Sequence, residues 1–234
     1  MRIDILTLFP EMFAPLKESI IGRATESGKV QIEITDIRNY TLDKHKKCDD
    51  YPFGGGAGML MMPQPVADAI EAIDKEHKAI RVYMSPKGKR FEQKMVGEFL
   101  KYDHIVLLCG HYEGIDQRVL DEYIDSVISI GDYVLTGGEL PAMVVTDAIC
   151  RYVEGVIAGE SLKDESFTDN LLEYPQYTRP QDFRGKKVPD VLVSGNHALI
   201  DKWRKEEAIK ITRKKRPDLY RKYKRALEKE KNKK

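Results

Sequence analysis

Short apolar runs alternate with segments of helical periodicity over roughly the first 155 residues of this 234-residue chain. The strand-like runs are Ile3–Leu8, Val30–Ile37, Ile80–Met84, Ile105–Cys109 and Val127–Ile130. The helical patterns lie near Pro10–Thr25, Pro65–His77, Phe91–Tyr102, Asp116–Tyr123 and Glu139–Tyr152. Strands that alternate with helices usually pair in parallel. The order therefore predicts an α/β fold whose mainly parallel sheet is flanked by helices.

Beyond this region the composition changes twice. The segment up to about residue 180 is polar and irregular, and two helical patterns follow it, near Asn196–Lys215 and Pro217–Lys229. We expect an α/β domain over residues 1–159, a flexible linker over 160–175 and a small basic helical domain over 176–234.

The net charge of +1 conceals an uneven distribution. Residues 202–234 hold 16 Lys and Arg against 5 Asp and Glu, so the rest of the chain is acidic. A basic end with Trp203, Tyr220 and Tyr223 among its charges favours a nucleic-acid partner, and RNA in particular. The alternative is a solvated helix tail, and charge by itself does not decide between them.

Composition also limits the class of protein. No run of about 20 apolar residues is present, and the N-terminus does not have the pattern of a signal peptide. The three cysteines are widely separated and form no metal-ligand motif, so we expect a cytoplasmic protein with reduced thiols and no protein-built metal site. Cys109 is expected to pack as a small apolar residue at a strand end.

Glycine-containing loops follow three of the predicted strands. They are Ser85–Gly88, Gly110–Gly114 and Gly131–Gly138. In open α/β sheets, ligands bind outside the carboxyl ends of the strands, and glycine lets backbone approach a ligand closely. One such loop is more often just a tight turn, but three together predict a binding crevice.

The type of ligand can be narrowed by what the loops lack. The chain has no GxxxxGK[ST] phosphate loop, and the glycines of Phe53–Gly58 do not have dinucleotide-binding spacing. An adenosine-like ligand without phosphates suits the crevice better, held by backbone groups among apolar walls such as Ile130, Tyr133 and Leu135.

Several longer strings resemble the bacterial tRNA (guanine-N1)-methyltransferases, which belong to the knotted SPOUT superfamily and modify the base 3′ of the anticodon. The strings occur in the family's order over nearly the whole chain. They are Leu8–Phe13, Phe53–Met62, Cys109–Asp116, Ile130–Met143, Tyr174–Pro180 and Val193–His197. The string IGDYVLTGGELPAM at Ile130–Met143 is the most specific of them.

This resemblance implies a deep trefoil knot around Tyr83–Pro141, a homodimer whose active sites are shared between subunits, and S-adenosyl-L-methionine as the methyl donor. The implied donor-binding residues are Tyr83, Ser85, Pro86, Gly110, Tyr112, Glu113, Gly114, Ile130, Gly131, Asp132, Tyr133, Val134, Leu135, Gly137, Gly138 and Pro141. The implied residues for binding the tRNA substrate are Gly55, Gly56, Glu173, Ser194, Asn196 and His197.

The reaction itself predicts two catalytic groups. Guanine N1 carries a proton, so a general base must remove it, and the charge that then moves to O6 needs a cation or a hydrogen-bond donor. The resemblance assigns these roles to Glu165 and Arg151. Glu165 stands where relatives usually carry Asp, so Asp164 is the alternative base. Arg151 also has the spacing of a structural i,i+4 pair with Asp147. His111, where relatives often have Arg, is expected to be a crevice wall or an RNA contact.

Three functions remain open at this point. The first is methylation of N1 of guanine-37 in tRNA, the second is a knotted methyltransferase with another RNA target, and the third is a non-catalytic tRNA-binding module. Mg²⁺ is suggested by the resemblance, but no side-chain cluster in the sequence resembles a magnesium cage. The polar linker is expected to order only when tRNA binds.

Overall fold

A computed structural model describes residues 1–159, 162 and 165–231 of the chain. The chain divides into two compact units, Met1–Ile157 and Ala158–Lys234. The alternating strands and helices lie in the first unit, and the basic helices lie in the second.

The first unit contains a five-stranded parallel sheet with the strand order β2-β1-β6-β5-β7. Its strands are β1 Arg2–Thr7, β2 Gln31–Asp36, β5 Ile80–Arg90, β6 His104–Cys109 and β7 Ser126–Ser129. Two short strands, β3 Asp49–Asp50 and β4 Leu60–Met61, pair separately and antiparallel. The predicted α/β fold with a mainly parallel sheet is confirmed.

Helices flank the sheet. They are α1 Ser19–Glu26, α2 Pro63–Asp74, α3 Gln93–Phe99, α4 Gln117–Tyr123 and α5 Glu139–Cys150. Strand β6 explains why both faces are covered: Ile105 and Leu107 join one apolar cluster, and Val106 and Leu108 join the other. A central parallel strand is buried on both faces, so its sequence is continuously apolar rather than alternating.

Two sequence-based boundaries are corrected. The pattern near Pro10–Thr25 forms a 3-10 helix, Pro10–Lys17, and then α1, with the chain extended at Glu18. Pro15 lies inside the first piece, where it has no N–H to donate to a regular α-helix. The helix expected to open at Pro65 opens at Pro63, so that Pro65 still lies in the first turn.

Strand β5 is longer than predicted, because the expected loop Ser85–Gly88 lies within it. Ile128 of β7 pairs with Met84 and again with Lys89, and the register shifts between these two partners. The irregular stretch therefore lies beside the end of β7 instead of forming a simple turn.

The second unit is built mainly from two long helices, α6 His197–Lys215 and α7 Pro217–Lys231. A small hairpin of β8 Asp182–Phe183 and β9 Lys186–Lys187 precedes them. Leu171 lies in the unit's apolar core with Ala208 of α6 and Tyr223 of α7. The described end of the segment 160–175 is thus packed within this unit.

Candidate active site

A cavity of about 600 Å³ opens at the carboxyl ends of β5, β6 and β7. Its walls are the three glycine-containing segments that follow the apolar parts of these strands. The structure brings together in this cavity the predicted donor-binding residues Tyr83, Ser85, Pro86, Gly110, Tyr112, Glu113, Gly114, Ile130, Gly131, Tyr133, Val134, Leu135, Gly137, Gly138 and Pro141. His111 also lines it, as expected for a crevice wall.

Backbone contacts tie two of the crevice segments together. The N–H of Gly138 donates to the carbonyl oxygen of Gly110 at 2.9 Å. A Cβ atom on Gly138 would lie 2.7 Å from Cα of Cys109, which is closer than real Cβ atoms approach backbone. Gly138 has an ordinary φ of −85°, so the close approach, and not a special conformation, requires glycine here.

A buried carboxylate lies beneath the crevice. Glu139, in the first turn of α5, is 1% exposed and accepts a hydrogen bond from Oγ1 of Thr7 at 2.8 Å. Its other oxygen lies 3.7 Å from Nε2 of His111. A carboxylate is favourable near the positive end of the helix dipole. Glu139 thereby links the end of β1, the loop after β6 and the start of α5.

Burial favours the neutral forms of two groups near the carboxyl ends of β5 and β6. Burial raises the pKa of the Tyr83 hydroxyl, and a hydrogen bond with Ser85 offsets part of that rise. Burial also raises the pKa of the Cys109 thiol well above its usual value, and the charge of Glu139 adds to this effect. Cys109 is 1% exposed at the end of β6, which confirms its predicted apolar packing. Tyr83 can therefore act as a hydroxyl hydrogen-bonding group, whereas Cys109 is unsuited to act as a nucleophile.

The glycine loop after β3 is fastened to the same crevice. The N–H of Glu113 donates to the carbonyl of Met59, and the N–H of Met61 donates to the carbonyl of Gly114, at 3.0 and 2.9 Å. A Cβ on Gly58 would lie 2.5 Å from Cγ of Glu113. The predicted substrate residues Gly55 and Gly56 lie earlier in this loop, exposed and with nothing within 4 Å of their Cβ positions.

A second cavity, of about 190 Å³, lies within the second unit. It brings together the predicted residues Glu165 and Glu173 with Tyr174 and Arg204. The guanidinium carbon of Arg204 lies 5.0 Å from the centre of the Tyr174 ring, a cation–π contact. The two carboxylates can accept hydrogen bonds from the polar edge of a base, and the guanidinium of Arg204 can donate hydrogen bonds to it. Asp164, the alternative base, lies outside the described residues.

The remaining predicted residues occupy helix ends. Arg151 is the C-cap residue of α5, and its N–H donates to the carbonyl of Asp147. The side chain of Asn196 caps α6 by accepting from the N–H of Leu199 at 3.2 Å. Ser194 accepts from the N–H of Asn196, and His197 is the first residue of α6. The structure thus gives Ser194 and Asn196 local structural contacts in addition to any role with a substrate.

Some placements differ from the sequence-based set. Asp132 is not a lining residue of the crevice but lines a separate surface depression with Lys89, Arg90, Glu92 and Lys94. Sequence reasoning missed several residues that do line the crevice: Leu60, Met84, Lys87, Ile115, Gln117, Leu120, Asp121, Val127, Ile128, Ser129 and Thr136. Most of them adjoin a predicted strand end, which is the signal that could have found them. Leu60 lines the crevice because the glycine loop packs there, and Gln117, Leu120 and Asp121 line it because α4 packs there.

Two further searches concern the described part of the chain. Within it, no three or more His, Cys, Asp or Glu side chains form a group that could hold a metal ion. None of its helices combines the length and the apolar character needed to span a membrane.

Comparison with known proteins agrees with this geometry. The family model described as "tRNA (Guanine-1)-methyltransferase TrmD" matches residues 1–222. The chain is 58% identical to a tRNA (guanine-N(1)-)-methyltransferase of Ruminiclostridium cellulolyticum, over 95% of this chain and 97% of the relative. It is 56% identical to an enzyme of the same name from Clostridium botulinum, over 96% of this chain and 93% of the relative. The resemblance seen in the sequence strings is confirmed, and the chain belongs to the tRNA (guanine-1)-methyltransferase TrmD family.

Proposed function

We propose that this chain transfers a methyl group from S-adenosyl-L-methionine to N1 of guanine-37 in tRNA, the base 3′ of the anticodon. The observation that carries the proposal is the crevice at the ends of β5, β6 and β7, which is built from the strings that the chain shares with its family.

The crevice fits the donor in size and chemistry. Its volume of about 600 Å³ lies in the range of small-molecule pockets. Its walls combine apolar side chains such as Ile130 and Leu135 with glycine backbone, which offers N–H and C=O groups to a base and an amino acid moiety. S-adenosyl-L-methionine, when bound, supplies a sulfonium methyl group that a nucleophile in line with the C–S bond can displace.

We assign the trefoil knot to the segments that cross at the crevice. A Cβ on Gly88 would lie 2.4 Å from the backbone of Val127 and Ile128, and one on Gly138 would meet the backbone of Cys109. Ile128 also pairs with β5 on both sides of its irregular stretch. Chain segments that pass this close to one another at three strand ends support a knotted arrangement, although general topology rules disfavour knots.

Glu165 is proposed as the general base. Its carboxylate lines the cavity of the second unit together with Glu173 and Arg204, and a cavity of that size can accept the edge of a base. Removal of the N1 proton makes the ring nitrogen nucleophilic, and such proton transfers contribute roughly 10²–10⁴ in rate. Glu173 is proposed to hold the guanine in position by accepting from its N–H groups.

Arg151 is proposed to stabilise the charge that develops on guanine O6. Its guanidinium is always cationic and presents several N–H donors to an oxygen. A preorganised donor at such an oxygen contributes roughly 10²–10³ in rate. Replacement by lysine would keep the charge and lose the planar set of donors.

The position of Arg151 supports our proposal of a homodimer with a shared active site. Helix α5 begins at the crevice with Gly138 and Pro141, and Arg151 caps its other end, about 20 Å away along the helix axis. Arg151 therefore cannot reach the donor crevice of its own protomer, but it can reach that of a partner. Leu140 and Val144, four residues apart on α5, are both about half exposed and supply an apolar face for a second copy.

The second unit is proposed to bind the tRNA. Helix α6 ends in the basic run Arg213–Lys215, and its Trp203 packs against Tyr177, so cations and aromatic surface occur together.

The described residues do not fit a dedicated magnesium site, and the proposed reaction does not depend on Mg²⁺. The three cysteines are free and buried, as suits the reducing cytoplasm that we propose for this enzyme.

The experiment that tests this function measures methyl transfer from labelled donor to two tRNA transcripts that differ only in G or A at position 37. Label on the G transcript alone, located at N1 by nucleoside analysis, is the expected result. Label elsewhere in the RNA would overturn the target and keep the methyltransferase reaction. Absence of both transfer and donor-binding heat in calorimetry would leave a non-catalytic tRNA-binding module.

A further inference from the structure

The glycine loop that is fastened to the crevice carries two aromatic side chains that no step above uses. Phe53 is 99% exposed and Tyr51 is 78% exposed, although both are large apolar groups. Single exposed apolar side chains are common on proteins, but two aromatic ones on either side of a proline, at the edge of a binding site, indicate a contact surface.

The local backbone holds Phe53 in a defined position. The N–H of Gly55 donates to the carbonyl of Pro52 at 3.2 Å, which closes a β-turn with Phe53 and Gly54 as its central residues. Gly54 has φ +88°, as the third residue of a type II turn requires. Phe53 is therefore presented at the tip of a hydrogen-bonded turn, at little further cost in backbone entropy when a partner binds.

The turn lies next to the donor crevice along the chain. Three residues beyond Gly55, the close packing of Gly58 on Glu113 begins the contact with the crevice loop. Backbone around Gly55 and Gly56 is open to solvent, and the N–H of Gly56 can reach a sugar or a phosphate. Nζ of Lys46, in the segment before the turn, donates to the neutral amide of Asn39, so its positive charge can still attract a phosphate.

We propose that Phe53, with Tyr51, is a stacking platform for an unpaired base next to the target guanine in the anticodon loop. This inference rests on the proposed function and names a specificity-determining contact for it. A base that is turned out of its stack leaves its neighbours with an exposed face, and an aromatic ring can replace the lost stacking partner. RNA is favoured over a second copy of the chain because the surface is aromatic and lies beside open glycine backbone and lysines.

The test compares Phe53→Ala, Phe53→Trp and Leu42→Ala in the full-length protein, using a G37 transcript. Leu42 is 87% exposed in the same region but has no aromatic face, so its removal serves as the matched control. We expect Phe53→Ala to raise Kd and KM for the transcript by roughly 5- to 150-fold, which is the effect of losing one stacked base. Phe53→Trp should restore binding, Leu42→Ala should change it less than twofold, and donor affinity should stay constant in all three.

Other outcomes separate this inference from the proposed function. Wild-type protein that methylates the G37 transcript, together with Phe53→Ala at unchanged Kd and KM, would overturn the stacking platform alone. A sedimentation coefficient that falls in Phe53→Ala would instead show that Phe53 lies at an interface between copies, which also overturns it. Wild-type protein without transfer to the transcript would overturn the function on which the inference rests.

Discussion

The two cavities of this molecule are built in opposite ways. The crevice of the first unit is formed by strand ends, glycine backbone and apolar side chains over a buried sheet. The smaller cavity of the second unit is lined by four acidic and two basic side chains, among them Glu165, Glu173 and Arg204. One is shaped by the packing of the core, and the other is shaped by charge.

This difference suits the two units to the different chemical tasks that we propose for them. A site whose walls are fixed by a core is already organised, so it can hold a flexible donor in one conformation. A site lined by carboxylates can take a proton, and the cations of Arg204 and Lys205 in the same lining offset part of its negative charge. One ion pair of each unit illustrates the difference: both side chains of Arg81–Asp74 in the first unit are buried, whereas those of Arg216–Asp218 in the second are about half exposed.

The largest expected effect is on proton removal in the second unit. Glu165→Gln keeps the size and polarity of the side chain but cannot accept the N1 proton. We expect kcat for the G37 transcript to fall by roughly 10²–10⁴, with donor affinity within twofold of the wild type. Quench-flow or steady-state transfer of labelled methyl groups, with calorimetry for the donor, measures both quantities.

Asp169→Asn is the matched control for this substitution. Asp169 lines the same cavity, and its exposed carboxylate lies 3.7 Å from Lys205. Its activity should stay within a few fold of the wild type. If Glu165→Gln is fully active and Asp164→Asn is not, the base is Asp164. If the double variant Glu165→Gln/Asp164→Asn is also active, neither of these carboxylates is the base.

The second effect concerns the buried ion pair of the first unit. Nε of Arg81 donates to Asp74 at 2.8 Å, and both side chains are 4% exposed. Burial raises the pKa of Asp74, but hydrogen bonds from Arg81 and from the N–H groups of Lys78 and Ala79 lower it more, so the net shift is downward. Asp74→Asn leaves the buried Arg81 without its counter-charge, and we expect a loss of about 3–5 kcal/mol in the free energy of unfolding.

The pH dependence of that loss has a definite sign. A carboxylate with a lowered pKa stabilises the fold above its unfolded value of about 4, and the stabilisation disappears as the pH falls through the folded pKa. Urea unfolding should therefore show the widest gap between wild type and Asp74→Asn at pH 7, and a narrower gap below about pH 4. A gap that does not depend on pH would mean that the pair acts through packing alone.

The third effect concerns the donor crevice. Gly138→Ala would place a methyl group against the backbone of Cys109 and Gly110, which cannot move without displacing the crevice segments. Overpacking of this kind costs roughly 1–3 kcal/mol in the free energy of unfolding. Because the crevice segments must shift to relieve it, we also expect weaker donor binding in calorimetry. Gly97→Ala is the control, because Gly97 lies in α3 with nothing within 4 Å, and it should raise stability slightly. Unchanged donor affinity in Gly138→Ala would separate Gly138 from the donor site.

The sequence predicted these regions unequally. Four of the five strands of the parallel sheet lie within one residue of their predicted bounds. In β6 the signal is strong because its apolar run is continuous and buried on both faces. The crevice followed from glycines at strand ends. The extension of β5 through Pro86 and Gly88 was missed because it depends on pairing with β7, and those residues are poor strand formers.

Long-range contacts explain the rest of what the sequence did not reveal. The hydrogen bond from Thr7 to Glu139 joins residues 132 positions apart, and no local pattern records it. Arg204 joins Glu165 and Glu173 only because Leu171 packs against α6 and α7. The acidic residues themselves were found through the resemblance, because carboxylates in a polar segment resemble any solvated surface.

The smallest effect is expected at the exposed pair of the second unit. Asp218 accepts from Nη2 of Arg216 at 2.6 Å, and the Arg216 guanidinium lowers the pKa of that carboxyl. Both side chains remain more than 40% exposed, so water and salt screen the attraction. Asp218→Asn should change Tm by less than about 2 °C at low salt and less still at 0.5 M salt, as measured by calorimetry. A loss as large as that of Asp74→Asn would mean that the second unit depends on its ion pairs as strongly as the first, and the contrast between a unit held by its core and one shaped by solvated charge would no longer hold.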